Sequence, residues 1–333
     1  MLRDDTLDHL SEAAAEPDLS NTKYEIVGAL GRGGSATVYL AYDRELDREV
    51  ALKVLDLPDA GGAVQERLLR EAKIVARLEH PGIVPIHDVG ILPDDRVFYA
   101  MKHVKGRRLD AFEKESQDEC LRVFQKICEA VAFAHSQGVI HRDLKPENIM
   151  VGGFGEVLVM DWGIAKIRDA QPDLDSGTEK NPGPRLTDHG TVMGTRAYMS
   201  PEQVAGDTEK FNERTDIYGL GAVLYFLLTG VAPFEEIRSS RALIPPRRTN
   251  PRAAKAIEAV CLKAMAEQQV DRYGDALELG KDVEMFLASL PVSAYRENPL
   301  EITQRWIAKN YFVILLVLTY LIMRTLLLLF SGR

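Results

Sequence analysis

Eight consecutive residues, His141-Arg142-Asp143-Leu144-Lys145-Pro146-Glu147-Asn148, put a carboxylate, a cation and an amide on one short segment. Asp143 is a candidate proton acceptor, Lys145 a stabiliser of negative charge, and Asn148 an amide metal ligand. Thirteen residues after Asn148, Asp161-Trp162-Gly163 adds a second carboxylate on a turn. Moving a phosphoryl group from a nucleotide to a hydroxyl needs this set: an oriented nucleophile, neutralised charge and held magnesium. One Asp–Asn pair alone would be an ordinary polar turn, so the reading depends on what the rest of the chain places around it.

Two kinds of element surround these residues. Residues 24–30, 37–42 and 49–55 are short runs with β-branched and aromatic content, and 83–89 and 96–104 have the same character. Between them, 66–78 carries Leu68, Leu69, Ala72, Val75 and Ala76 at helical spacing. After Gly106 the segments lengthen and become helical, at 121–137, 216–228, 251–267 and 273–290. The expected fold class is α+β and bilobal, with a small β-rich lobe over about 23–103 and a large helical lobe over about 104–290. Residues 1–22 form an acidic extension without an apolar h-region, expected to be flexible and not a secretory signal. No internal repeat is visible, and 168–189 is a long stretch rich in Asp, Pro, Gly and Thr.

Composition narrows the partners. The 333 residues carry a net charge of -9 and show no basic run with interleaved aromatics, which disfavours nucleic acid. The three cysteines, Cys120, Cys128 and Cys261, have neither metal-ligand spacing nor an even-numbered disulfide framework. They are expected to be small buried apolar residues.

The segment from His141 to Asn148 resembles the catalytic loop of eukaryotic-type protein kinases, in the form that the serine/threonine branch carries. Other motifs follow in the family's order. Gly31-Arg32-Gly33-Gly34-Ser35-Ala36-Thr37-Val38 is similar to the glycine-rich loop, where a bare backbone can approach phosphates and donate amides to them. Ala36 stands at the family's third glycine, and no Gly-Lys-Ser/Thr follows, so this is not a P-loop. In Val50-Ala51-Leu52-Lys53, strand alternation puts Ala51 and Lys53 on one face. The resemblance implies that Lys53 contacts the α- and β-phosphates and that Glu71 holds it, with Glu66 as a rival carboxylate. It also implies an adenine pocket built from Leu30, Val38, Ala51, Met101 and the hinge at 102–104, including His103. Asn148 and Asp161 then hold the metal.

Gly194-Thr195-Arg196-Ala197-Tyr198-Met199-Ser200-Pro201-Glu202 resembles the end of an activation segment, with Ser200 where the family has alanine. By the same resemblance Thr195 lies near Asp143 and Lys145, Glu202 pairs with Arg272, and Asp216 holds the catalytic-loop backbone. Arg142 is then placed to read a phosphate on Thr187 or Thr191. Trp162 replaces the usual phenylalanine and leaves the metal-binding Asp161 intact. The resemblance implies ATP with Mg2+, or Mn2+ in its place, and transfer to serine and threonine hydroxyls of protein substrates, with autophosphorylation. A homodimer is a further partner state that it admits. A scaffold that binds nucleotide without transfer, or a small-molecule phosphotransferase, fits less well, since the catalytic set and the peptide-shaping segment are both complete.

Residues 311–330 are apolar except for Thr319, Arg324 and Thr325, and as a helix they span about 30 Å, the thickness of bilayer hydrocarbon. A soluble helix would keep a polar face, which this one lacks. Trp306 and Tyr311 suit the near interface, and Arg296, Arg305 and Lys309 favour a cytoplasmic side before the span. The expected arrangement is a single-pass inner-membrane protein, with 291–310 as juxtamembrane linker and its catalytic part in the cytoplasm. Three residues follow 330, so input is expected from the cytoplasm or the bilayer.

Overall fold

The computed structural model describes residues 17–32, 36–55, 69, 72–111, 116–162, 195–234 and 243–331. Its first half is a five-stranded antiparallel sheet of β1 (Tyr24–Arg32), β2 (Ala36–Asp43), β3 (Arg48–Leu55), β4 (Ile86–Ile91) and β5 (Val97–Lys102), in the order β1-β2-β3-β5-β4. Alternation along β3 divides the sheet's two faces. Val50, Leu52 and Val54 pack with Tyr24, Tyr39, Ala41, Phe98 and Ala100 on one side. Ala51 and Leu55 face the other way, into the main core with Tyr99 and Met101. Lys53 shares that second face, as its spacing from Ala51 requires.

β4 begins later than the expected 83–89. Pro85 has no N–H to give a ladder, so regular pairing starts beyond it at Ile86. Ile83 instead forms a parallel bridge to Val159, which ties the chain after the helical region to the turn that carries Asp161. Of the helix expected over 66–78, residues 72–75 are helical, and Leu78 N–H donates to the Val75 carbonyl at its end.

The second half starts with β6 (Gly106–Arg108), which joins β7 (Ile149–Gly152) and β8 (Val157–Val159) in a small sheet. Besides the single turn Pro246–Thr249, the α-helices are α1 (Gln117–Ser136), α2 (Pro201–Ala205), α3 (Glu213–Thr229), α4 (Lys255–Ala264), α5 (Ala276–Leu287), α6 (Pro299–Lys309) and α7 (Tyr311–Ser331). Ser116 caps α1 by accepting from Glu119 N–H, and Asn212 with Thr215 closes a capping box on α3. Thirteen residues of α3 are buried, so it is the central helix of this half and packs against α1 and α4. Gly221 makes that approach close, because a Cβ there would lie 2.7 Å from Met265 Cγ. α4 and α5 are shorter than the expected 251–267 and 273–290. Asn250 closes a turn with Ala253 before α4, and the side chain of Asp275 caps α5 on Glu278 N–H. All three cysteines are buried and unbridged.

The small sheet and the long helices give the bilobal α+β arrangement expected from the sequence. The C-terminal end differs in kind. Described side chains of α7 from Tyr311 to Leu327 are largely exposed. Among the described residues no single helix is long and apolar enough to cross a membrane, whereas Pro299–Ile307 and Tyr311–Leu327 meet the test together across a 74° bend.

Candidate active site

Asp216, near the start of α3, organises the loop that carries Asp143. Its two oxygens accept the backbone N–H groups of His141 at 2.7 Å and Arg142 at 2.8 Å, and His135 Nε2 lies 2.8 Å from Oδ2. The carboxylate is almost fully enclosed. Arg142 takes a left-handed φ of 65°, uncommon for a long side chain. That conformation is held from both sides, since Gln203 Nε2 also donates to the Arg142 carbonyl at 2.7 Å.

The same loop folds back on itself. Asn148 Nδ2 donates to the Asp143 carbonyl at 2.8 Å and to Asp143 Oδ2 at 3.2 Å, while Lys145 Nζ lies 3.2 Å from Oδ2. Asp143 therefore sits between an amide donor and a cation. His141 is buried, and burial pulls its pKa below the ordinary value. Its Nδ1 accepts from Asp143 N–H at 3.2 Å and its Nε2 donates to the Met160 carbonyl at 2.8 Å, the pattern of a neutral ring. The ring packs 4.7 Å from that of Trp162, whose Nε1 donates to the Val159 carbonyl at 3.2 Å. Trp162 thus fills the space under the loop and spends its polar atom locally.

Lys53 reaches across from β3 to this second region, where its Nζ meets Asp161 Oδ1 at 2.6 Å. Burial opposes the charge on Lys53, and the Asp161 carboxylate beside it outweighs burial and holds the amine above the usual lysine range. Burial pushes the Tyr99 phenol up to about 12, so it stays neutral at physiological pH. Asp161 itself has φ 57°, a left-handed backbone that turns its carboxylate toward the sheet.

Three residues expected to contact nucleotide, Gly31, Val38 and Lys53, fall in one cross-strand row. Gly31 pairs with Val38, Val38 with Lys53, and Lys53 with Tyr99 across four strands. Ala51 pairs with Met101, both buried. Leu30 occupies an irregular step in β1 and is half exposed. His103 leaves β5 with Nδ1 at 3.4 Å from Glu49. Gly33, Gly34, Glu71, Thr187 and Thr191 lie outside the described residues, and the expected Lys53–Glu71 pair lies outside them too. Thr195 opens a short turn, Thr195–Tyr198.

Glu202 and Arg272 form the expected buried pair, bidentate at 2.8 and 2.9 Å. Thr215 Oγ1 and Gln269 Nε2 also donate to Glu202, and Arg272 spends further N–H groups on the carbonyls of Arg214, Ala266 and Glu267. This network fixes α2 beneath the catalytic loop. Three contributors were not foreseen from the sequence: the rings of His135 and His141 and the amide of Gln203. Only the position of Gln203 three residues after Ser200, as its capping-box partner, signalled any role.

Among the described residues no group of three or more His, Cys, Asp or Glu side chains could hold an ion by itself. Asp161 and Asn148 offer hard oxygen ligands, and the Asn148 nitrogen is already committed to Asp143, which leaves its carbonyl oxygen for a cation. Two such ligands suit Mg2+, which keeps waters and takes phosphate oxygens for the rest.

Residues 24–272 match the protein kinase domain family. The chain belongs to that family. It is 36% identical over 301 residues to the serine/threonine-protein kinase PknD of Chlamydia felis, covering 81% of this chain and 31% of that protein. The Chlamydia pneumoniae PknD is 35% identical over 297 residues, with the same coverage of each chain. The chain therefore spans about a third of the length of the curated relatives it matches. The crystal structure of the PknI kinase domain of Mycobacterium tuberculosis superposes with a TM-score of 0.63 at 25% identity, over 81% of this chain and 97% of that one. These similarities put the kinase domain on the bacterial, eukaryotic-like serine/threonine branch.

Proposed function

We propose that this chain is a membrane-anchored protein kinase that transfers the γ-phosphoryl group of ATP to serine and threonine hydroxyls of proteins. The observation that carries the reading is the convergence of Lys53 on Asp161 beside a loop that presents Asp143, Lys145 and Asn148. In this reading Asp143 orients the acceptor hydroxyl and takes its proton as the new P–O bond forms, while the bridging P–O pair leaves with ADP. Lys145 offsets charge on the transferring group, and Lys53 binds the α- and β-phosphates, with Glu71 as its further partner. Leu30, Gly31, Gly33, Gly34, Val38, Ala51, Met101 and His103 would bound the nucleotide. Asp161 and Asn148 would hold Mg2+, which when bound neutralises phosphate charge and aligns the terminal phosphoryl group.

The domain limits extend this reading. A catalytic domain over 23–290 is supported by α5, which packs Leu279 and Val283 into the main core although it lies beyond residue 272. The acidic 1–22 extension stays an expectation, 291–310 the linker and 311–330 the membrane anchor. The exposed apolar surface of α7 supports that anchor, and the basic residues before it support an inner-membrane, single-pass placement with the kinase domain in the cytoplasm. Protein substrates and a second copy of the chain are the proposed protein partners.

Arg142 supports autophosphorylation as part of this reading. Its Nε is buried without a hydrogen-bond partner among the described residues, as a cation kept for a phosphate would be. Incubation with ATP and Mg2+ is expected to phosphorylate Thr187 or Thr191, and alanine at the modified position is expected to lower substrate transfer at least about tenfold, the worth of one charge-assisted hydrogen bond. Phosphosite mapping that finds both threonines unmodified in fully active protein ends this part of the reading.

A further inference from the structure

α6 is amphipathic in an unusual direction. At about 100° per residue, Leu300, Ile302, Trp306 and Ile307 share an arc of about 160°, with Glu301 and Arg305 opposite and Lys309 at the arc's edge beside Ile302. In most helices of a folded domain the apolar arc packs inward, yet here the polar edge is the one attached to the kinase domain. Glu301 accepts from Lys255 Nζ of α4 at 2.7 Å and from the Tyr295 hydroxyl at 2.9 Å, and Arg305 pairs with Glu297 at 2.9 Å. Asn298 closes a capping box with Glu301, so the first turn is fixed at the same point. The apolar arc is left outward: Leu300 is 75% exposed and Trp306 60%.

We propose that this outward face of α6 lies in the headgroup region of a lipid bilayer, so that the helix seats the kinase domain on the membrane surface in a set orientation. The inference rests on the reading of α7 as an anchor and adds a second, distinct lipid contact. Continuity selects the bilayer as occupant. α7 starts one residue after Asn310 ends α6, is apolar apart from Thr319, Arg324 and Thr325, and leaves at 74°. A helix that crosses a bilayer obliges a segment nearly perpendicular to it to run along the surface. Trp306 and the flanking Tyr311 are the aromatic types that prefer that depth, and Lys309, beside Ile302 at the edge of the arc, suits an anionic surface. Because Glu301 and Glu297 are engaged in ion pairs, carboxylate repulsion from anionic lipid is reduced. The Lys255–Glu301 and Arg305–Glu297 pairs would then transmit membrane position to α4 and to the kinase domain.

The chain has two tryptophans, and Trp162 is buried while Trp306 is exposed, so lipid quenching of fluorescence reports on α6. The full chain is reconstituted into phosphatidylcholine–phosphatidylglycerol vesicles that carry bromine either near the glycerol or near the chain end. The Trp306 component, defined by subtraction of a W306F variant, is expected to fall at least about twofold, and more with the shallow bromine. Protein that floats with the vesicles and resists carbonate, yet shows no Trp306 quenching, overturns the surface helix while leaving the anchor intact. Shielding from aqueous iodide without bromolipid quenching indicates burial against a second copy and also overturns it. Stronger quenching by the deep bromine places α6 inside the span and contradicts the proposal. Protein that fails to float removes both the anchor and this inference.

Discussion

Asp143→Asn is expected to slow phosphoryl transfer by about two to four orders of magnitude, the range typical of a positioned general base. The substitution is nearly isosteric, and the loop is held from elsewhere: Asp216 keeps the His141 and Arg142 amides, and Gln203 keeps the Arg142 carbonyl. Folding and nucleotide affinity should therefore change little. Loss of the negative charge between Lys145 and Asn148 removes both the proton acceptor and the group that orients the hydroxyl. Single-turnover rates with titrated ATP binding separate the two effects. Turnover close to that of the unmodified protein would falsify the base assignment.

Arg272→Ala is expected to destabilise the helical lobe by about 3–5 kcal/mol, because it leaves the buried Glu202 carboxylate uncompensated. The loss should exceed that of an exposed pair such as Lys210–Asp207, where water screens the charges. Replacement of both Glu202 and Arg272 by apolar residues of similar size should recover much of the loss, since the unpaired charge causes it. The pH dependence has a defined sign. Burial alone would raise the Glu202 pKa, and the Arg272 guanidinium overrides it and holds the carboxyl at about 2. A carboxyl depressed in the folded state contributes fully above its unfolded value, about 4.3, and that contribution is lost as pH falls toward 2. Urea denaturation at neutral pH and near pH 3 measures both effects. A stability unchanged by Arg272→Ala would show that the surrounding hydrogen bonds, not the ion pair, hold α2.

How far the sequence disclosed this structure varies by type of signal. Alternation of Val50, Leu52 and Val54 against Ala51 and Lys53 gave the face on which Lys53 stands, because a strand's period leaves one choice. The Glu202–Arg272 and Asp216 contacts were legible only through resemblance, since 70 residues separate the first pair and no local pattern links them. Element ends were less legible. The start of β4 depends on Pro85 at the junction with β5, and the start of α5 depends on a cap by Asp275 just after Tyr273, whose hydroxyl turns to the buried Asp282 at 2.8 Å. The role of Tyr99 beside Lys53 required the register of β3 against β5, which spacing within one strand does not contain. The position of α6 was legible as a linker but its reversed polarity was not, because only the contacts of Glu301 and Arg305 show which face meets the domain.

The central claim is that Lys53, Asp143, Asn148 and Asp161 form one centre that moves phosphate onto protein hydroxyls. Its most direct test is incubation of the full chain with γ-labelled ATP, Mg2+ and a serine- and threonine-containing protein acceptor, followed by phosphoamino-acid analysis. The account predicts label on serine or threonine, dependent on the metal and absent with Lys53→Met. Tight nucleotide binding with no label on acceptor or on the chain itself, in the presence of Mg2+ or Mn2+, would contradict it.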